Sequence, residues 1–273
     1  MLCDYHVHTY YSDDSDYPME QVVKDAIQQG ISELCFTDHV DYGVKLDHHA
    51  AGADDPANRL NVDYPAYFKE FTKLQEQYQK EIRLRFGLEF GIQTGTIPKF
   101  EQLFSAYPFD FVLLSIHQVN NQEFWLGDFQ QGKTEEECYQ EYYHELLSVV
   151  KNYHHYSCLA HLDLIRRYVN KEENTFEANK EILTEILQYI IADGKGIEVN
   201  TSSVRYQIPD TTPSKDILRL YRQLGGKIIT IGSDSHKPDE LGAHIEESRK
   251  LLKELGFQHY CTFQEMKPVF HPL

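Results

Sequence analysis

The sequence predicts one α/β domain in which parallel strands, each followed by a helix, close into a seven-stranded relative of the eightfold barrel. Three observations lead there. Strand-like apolar runs alternate with amphipathic helical runs seven times along 273 residues, and such alternation implies parallel strands with helical crossovers. No tract rich in Pro, Gly or Ser divides the chain, so residues 1–273 read as a single domain. Ligand-type side chains recur at the C-terminal ends of the strands, where barrel active sites are built. An open sheet would gather them near one switch point instead.

The elements follow in order. Residues 2–10 alternate and are rich in β-formers, and they contain Asp4-Tyr5-His6-Val7-His8. Residues two apart on a strand point to one side, so His6 and His8 project their imidazoles together. Residues 18–29 form an amphipathic helix with Met19, Val22, Val23, Ala26 and Ile27 on one face, stopped by Gly30. The strand at 31–37 ends in Thr37-Asp38-His39. The polar insert at 40–63 is too long for a simple connection and reads as a substrate-covering loop or lid.

A helix at 64–80 precedes a strand at 82–90 that ends in Gly87-Leu88-Glu89-Phe90. A helix at 97–105 leads to the strand at 109–116, ending at His117. The capped helix at 134–152 precedes the strand at 157–160, ending at His161. A helix at 175–192 leads to the strand at 196–200 and a loop holding Arg205. A helix at 213–224 leads to the strand at 227–231, which runs into Gly232-Ser233-Asp234-Ser235-His236. The last helix spans 238–255, and the tail beyond it reads as irregular.

Composition narrows the function. Acidic residues number 43 against 26 basic ones, a formal charge of -17, and such a surface repels a phosphate backbone. Five scattered cysteines (Cys3, Cys35, Cys138, Cys158 and Cys261), none in CxxC spacing, read as reduced thiols rather than a disulfide framework. A strand follows Met1 at once and no apolar run reaches membrane-spanning length, so a cytoplasmic location without membrane attachment is expected.

His6, His8, His39, Glu89, His117, His161, Asp234 and His236 all fall at strand ends. Singly each has an ordinary reading, as a cap, a surface acid or a buried histidine. Jointly, eight ligand-type residues at one end of successive strands point to a metal site. Imidazole with carboxylate and no thiolate suits zinc, manganese or iron. So many donors exceed one ion, and three divalent metal ions are the natural count.

In this order His6-x-His8, Thr37-Asp38-His39, Glu89, Ser115-x-His117, Ala160-His161 and Gly232-Ser233-Asp234-Ser235-His236 resemble the polymerase and histidinol phosphatase (PHP) family. The resemblance runs from the first strand to the last. It implies a distorted (β/α)7 barrel with a trinuclear metal site. His6, His8 and Asp234 would hold the first metal, with Glu89 bridging to a second completed by His117 and His161. His39 and His236 would hold the third with Asp14, a place where some members carry histidine, and Asp13 and Asp16 are neighbouring alternatives. The segments His161-Leu-Asp-Leu-Ile-Arg-Arg and Glu198-Val-Asn-Thr-Ser-Ser-Val-Arg205 resemble the family's stand-alone histidinol-phosphatases rather than its polymerase-associated domains.

The implied reaction is hydrolysis of a small phosphate ester, L-histidinol phosphate, by a hydroxide bridging two metals. Arg205 and one of Arg166 or Arg167 would grip the phosphoryl oxygens, Arg166 being favoured by its place in the motif. Gln118, Asp41 and Glu198 adjoin strand ends and are candidates for the substrate's amino group and imidazole. Two rival readings are another PHP phosphoesterase acting on nucleotides and a non-catalytic metal-binding regulatory module.

Overall fold

In the computed structural model, which describes residues 1–169 and 175–273, seven parallel strands stand side by side in chain order. They are β1 (Cys3–Val7), β2 (Glu33–Phe36), β3 (Arg83–Gly91), β4 (Phe111–Ser115), β5 (Cys158–Leu159), β6 (Gly196–Asn200) and β7 (Ile229–Gly232). The ring closes where β7 returns to β1. A single parallel bridge joins Val7 to Ser235, and the His8 amide donates to the Ser235 carbonyl at 2.9 Å. Beneath that seam the buried Asp4 carboxylate accepts hydrogen bonds from Ser233 N, Ser233 Oγ and Gly242 N. The barrel is distorted where its ladders break: β1 slips register between Asp4 and Val7. Beyond β2 a two-residue strand, His39–Val40, re-pairs with Glu89 and Phe90 of β3.

Helices α1 (Met19–Gln28), α2 (Tyr64–Tyr78), α3 (Ile97–Ala106), α4 (Glu135–Asn152), α5 (Phe176–Ala192), α6 (Lys215–Gln223) and α7 (Ile245–Glu254) cross over between strands or follow the last one. Their starts are chemical. Asp63, Thr134 and Ser214 cap α2, α4 and α6 by accepting from backbone amides, and Thr134 forms a reciprocal box with Glu137. In α1, Met19, Val22, Val23 and Ala26 are buried, as the helical spacing predicts. The strands are buried on both faces, which explains their continuous apolar character.

Two expectations need correcting. The tail is a β-hairpin, β8 (His259–Gln264) and β9 (Lys267–Pro272). Its turn places Glu265 and Met266 at φ 49° and 61°; without the usual Asn-Gly pair, the turn has no sequence signal. The last helix begins at Ile245, not 238, because Gly242 (φ 70°) and His244 (φ 58°) are left-handed. The insert at 40–63 is braced by a bridge between Leu46 and Leu60 and supplies Asp41, Lys45 and Arg59 to the cavity lining. All five cysteines are free and buried. Among the described residues, no helix is long and apolar enough to cross a membrane.

The hairpin covers the N-terminal end of the barrel. Phe263 packs on Phe111, which packs on Tyr5. Tyr5 Oη accepts from the Phe263 amide at 2.8 Å and donates to Glu33 Oε1 at 2.5 Å. Arg83 and Arg85 donate to the same carboxylate at 2.8 and 2.9 Å. Burial opposes the Glu33 charge, but Tyr5 and the two arginines outweigh it and hold its carboxyl below the usual range. Glu33→Gln is therefore expected to destabilise the fold by about 2 kcal/mol at pH 7, since it removes the charge that the buried Tyr5 hydroxyl and the largely buried Arg85 share. A carboxyl with a lowered folded-state pKa contributes stability above its unfolded value and loses it as pH falls. Denaturant unfolding of both proteins at pH 7 and below pH 4 should show the gap closing in acid.

Candidate metal centre

The C-terminal strand ends converge on Glu89, which is fully buried at the end of β3. His161 Nε2 lies 2.8 Å and His117 Nε2 3.1 Å from its Oε1. His39 Nδ1 lies 2.9 Å and His6 Nε2 3.1 Å from its Oε2. Ser115 Oγ donates to Oε1 at 2.5 Å. His8 stacks between His39 and His236, with both ring separations 4.1 Å. Its Nε2 is 3.5 Å from both Glu89 and Asp234. Asp14 Oδ2 reaches to 3.5 Å from His39 Nε2 and 3.3 Å from His236 Nε2. The nine residues expected to hold metal thus meet at one place. Asp13 is instead ion-paired to Lys45, and Asp16 is exposed.

Backbone geometry aims two of these groups inward. His161 and Asp234 sit at φ 23° and 57° just past β5 and β7, left-handed positions that turn their side chains off the strand direction. Gly232 permits the β1–β7 approach: a Cβ there would lie 2.3 Å from His6 Cβ and 2.4 Å from Glu198 Oε1.

The donors fit divalent metal. Buried nitrogens His8 Nε2, His39 Nδ1 and His236 Nε2 make no hydrogen bond, although carboxylate oxygens lie 2.9 to 3.5 Å from them. Lone pairs set among carboxylates without hydrogen-bond geometry suit an ion shared between them. Among the described residues, four overlapping groups bring three donor atoms close enough for one ion: His6, His8 and Asp234; His6, Glu89 and His161; His8, His39 and His236; His39, Asp41 and His117.

Charge follows the same plan. Burial opposes ionisation of Glu89, but His6, His117 and His39 drive its pKa well below the carboxylate range. Asp234 is lowered in the same way, chiefly by His6 and His8. Burial also opposes charge on His6, yet Glu198, Glu89 and Asp234 raise its pKa well above the ordinary value. His8 goes the other way, lowered by burial and by His236 and His39, and so offers a neutral imidazole. Metal binding must displace protons from the raised histidines.

A second ring of acids orients the imidazoles. Glu198 Oε1 lies 2.6 Å from His6 Nδ1, and Asp41 Oδ1 lies 2.7 Å from His117 Nδ1. A carboxylate only accepts, so each Nδ1 carries its proton and Nε2 faces the centre. Glu198, expected as a substrate contact, is fully buried and engaged with His6, the His161 amide and Asn200. Gln118 is also fully buried, donating to the Gly91 carbonyl. Neither lines the cavity, whereas Asp41 does. His48 and His49 are exposed.

The cavity over the centre has a volume of about 610 Å³ and is lined by Arg167 and Arg205 but not by Arg166. Arg166, the arginine favoured by its place in the motif, thus lies off the cavity wall. Residues 164–167 form a 3₁₀ turn, in which neighbours diverge by about 120°. Arg166 points inward to the buried Asp163 at 3.1 Å. Arg167 emerges into the cavity, its guanidinium 3.7 Å over the Tyr206 ring, donating to Ser202 Oγ and lying 3.7 Å from Asp234. Arg205 donates to the Asp234 carbonyl at 2.6 Å and lies 3.6 Å from Glu240.

The PHP domain model matches residues 4–202. The chain belongs to the PHP domain family. This PHP-domain chain is 36% identical over 268 residues to a histidinol-phosphatase of Lactococcus lactis, covering 97% of this chain and 95% of that one. It also matches the crystal structure of a Lactococcus lactis histidinol phosphate phosphatase complexed with zinc, L-histidinol and phosphate. That match has a TM-score of 0.85 and 34% identity, covering 98% of each chain.

His117→Asn and His236→Asn are expected to lower bound zinc while leaving the PHP barrel folded, since both side chains lie on the cavity lining beyond the strand ends. Elemental analysis alongside circular dichroism checks this; full zinc in both variants would remove these residues from the site.

Proposed function

We propose that this chain hydrolyses L-histidinol phosphate to L-histidinol and inorganic phosphate. The observation that carries the reading is one cavity in which six imidazole and carboxylate donors, Asp14, His39, His117, His161, Asp234 and His236, meet two arginines above the fully buried His6, His8 and Glu89. The similar fold from Lactococcus lactis holds zinc, L-histidinol and phosphate. Three divalent ions, held by His6, His8, Asp14, His39, Glu89, His117, His161, Asp234 and His236, would activate water and neutralise phosphoryl charge.

The chain's own groups divide the rest of the work. Arg167 and Arg205 flank Asp234 from two loops, so a phosphoryl group beside the donors meets two guanidinium forks at once. Arg205 is held in place by backbone carbonyls of Ser233 and Asp234. Arg167 is held by Tyr206 and Ser202. That fixed placement lowers the reorganisation needed as charge builds on the phosphoryl oxygens. Elsewhere around the cavity stand Glu123, Trp125 and Tyr168, which offer a carboxylate to an ammonium group and aromatic faces to an imidazole. A biosynthetic role agrees with the cytoplasmic location expected from the sequence.

L-Histidinol phosphate should exceed AMP, phosphoserine and a generic aryl phosphate in kcat/KM on the zinc-loaded enzyme. Equal values for AMP would leave only a metal-dependent phosphoesterase. Arg167→Ala and Arg205→Ala should each lower kcat/KM by about 10²- to 10⁴-fold. Arg166→Ala should act chiefly on stability, by stranding Asp163. A larger kinetic loss from Arg166→Ala than from Arg167→Ala would reverse the assignment.

A further inference from the structure

The insert at 40–63 places a buried cation beside the acid that orients His117. Lys45 Nζ lies 2.8 Å from Asp41 Oδ2 and 2.6 Å from Asp13 Oδ1, and its side chain is only 5% exposed. The other Asp41 oxygen is the one that meets His117 Nδ1 at 2.7 Å. His117 in turn presents Nε2 to Glu89. The chain of contacts therefore runs Asp13, Lys45, Asp41, His117, Glu89 from the first loop, through the insert, to the hub of the centre.

The surroundings are shaped for this chain. Gly91, at the end of β3, leaves the space it needs: a Cβ there would lie 1.8 Å from Asp41 Oδ1 and 2.9 Å from His117 Nδ1. The Asp41 amide donates to Asn61 Oδ1 at 2.8 Å, and Lys45 N donates back to the Asp41 carbonyl at 3.0 Å. Both ends of the insert thus clamp the backbone of Asp41.

Asp41 has two options that the cation decides between. Its carboxylate is near enough to His39 and His117 to share an ion with them. An acid with both oxygens unengaged beside divalent metal would turn toward it. Lys45 occupies Oδ2 and balances the charge, which leaves Oδ1 for the ring proton of His117. We propose that Lys45 is a positioning residue: through Asp41 it sets the orientation of His117, so that this corner of the metal centre is complete only when the insert is docked. The proposal rests on the metal-centre reading above.

Zinc affinity of the full chain, measured by competition with a chelator, tests it alongside kcat. Lys45→Met should weaken retention of the most labile zinc by about 10- to 100-fold and lower kcat to a similar degree, the loss typical when the orienter of a metal ligand is disturbed. Asp41→Asn should do the same. The double variant removes both charges together, which avoids stranding either one in the fold, and should be no worse than Asp41→Asn alone. Wild-type zinc affinity in Lys45→Met would overturn the proposal. So would losses that multiply in the double variant, because Lys45 would then act independently of Asp41. A wild-type chain that binds no zinc would remove the metal centre itself and this inference with it, an outcome distinct from the other two.

Discussion

One buried carboxylate organises this molecule. Glu89 is fully buried, and four imidazole nitrogens lie within 3.1 Å of its two oxygens. An isolated carboxylate in such a place would be neutral, because burial disfavours its charge. Here the histidines reverse that preference, and each comes from a different strand end. The barrel closure, the register slip in β1 and the left-handed residues at 161 and 234 make sense as ways of bringing those ends to one point. Charge placed there is worth stabilising with metal, since several donors already face inward without other partners.

The strand-end histidines and Glu89 were legible because strand geometry is periodic and a barrel gathers its strand ends on one face. What lay off the strands was harder to read. Arg166 and Arg167 are adjacent in sequence, and only the 3₁₀ turn decides that the second faces the cavity. Glu198 sits on β6, yet its carboxylate serves His6 rather than a substrate. Sequence proximity to a strand end places a side chain near the centre without saying whether it meets ligand or ligand-holder. Lys45 carried no signal, because a lone lysine in a polar insert reads as solvated until its two carboxylate partners are seen. The tail hairpin escaped because its turn residues, Glu265 and Met266, are not turn formers.

Asp234 couples the two halves of the site. Its carboxylate faces His6, His8 and Arg167, while its carbonyl accepts from Arg205. A left-handed backbone at this residue is what lets carbonyl and carboxylate serve different partners. The two arginines, which come from separate segments, thus share Asp234 as a neighbour with the donors. A shift of that loop would disturb phosphoryl binding and metal binding together.

Donors and arginines see only the phosphoryl group, which every phosphate monoester shares. Discrimination must come from groups that meet the leaving alcohol, and buried polar groups left unpaired by the wrong alcohol discriminate strongly. Glu123 is an acid on the cavity wall, held by Arg59 from the insert and by the Trp125 indole. Arg59 also approaches Asp13 at 3.8 Å, the acid that grips Lys45. The insert thus touches the cavity at two places: through Lys45 it reaches Asp41 beside the donors, and through Arg59 it reaches Glu123 on the wall. A change in residues 40–63 would therefore reach both the acid beside His117 and the carboxylate of Glu123.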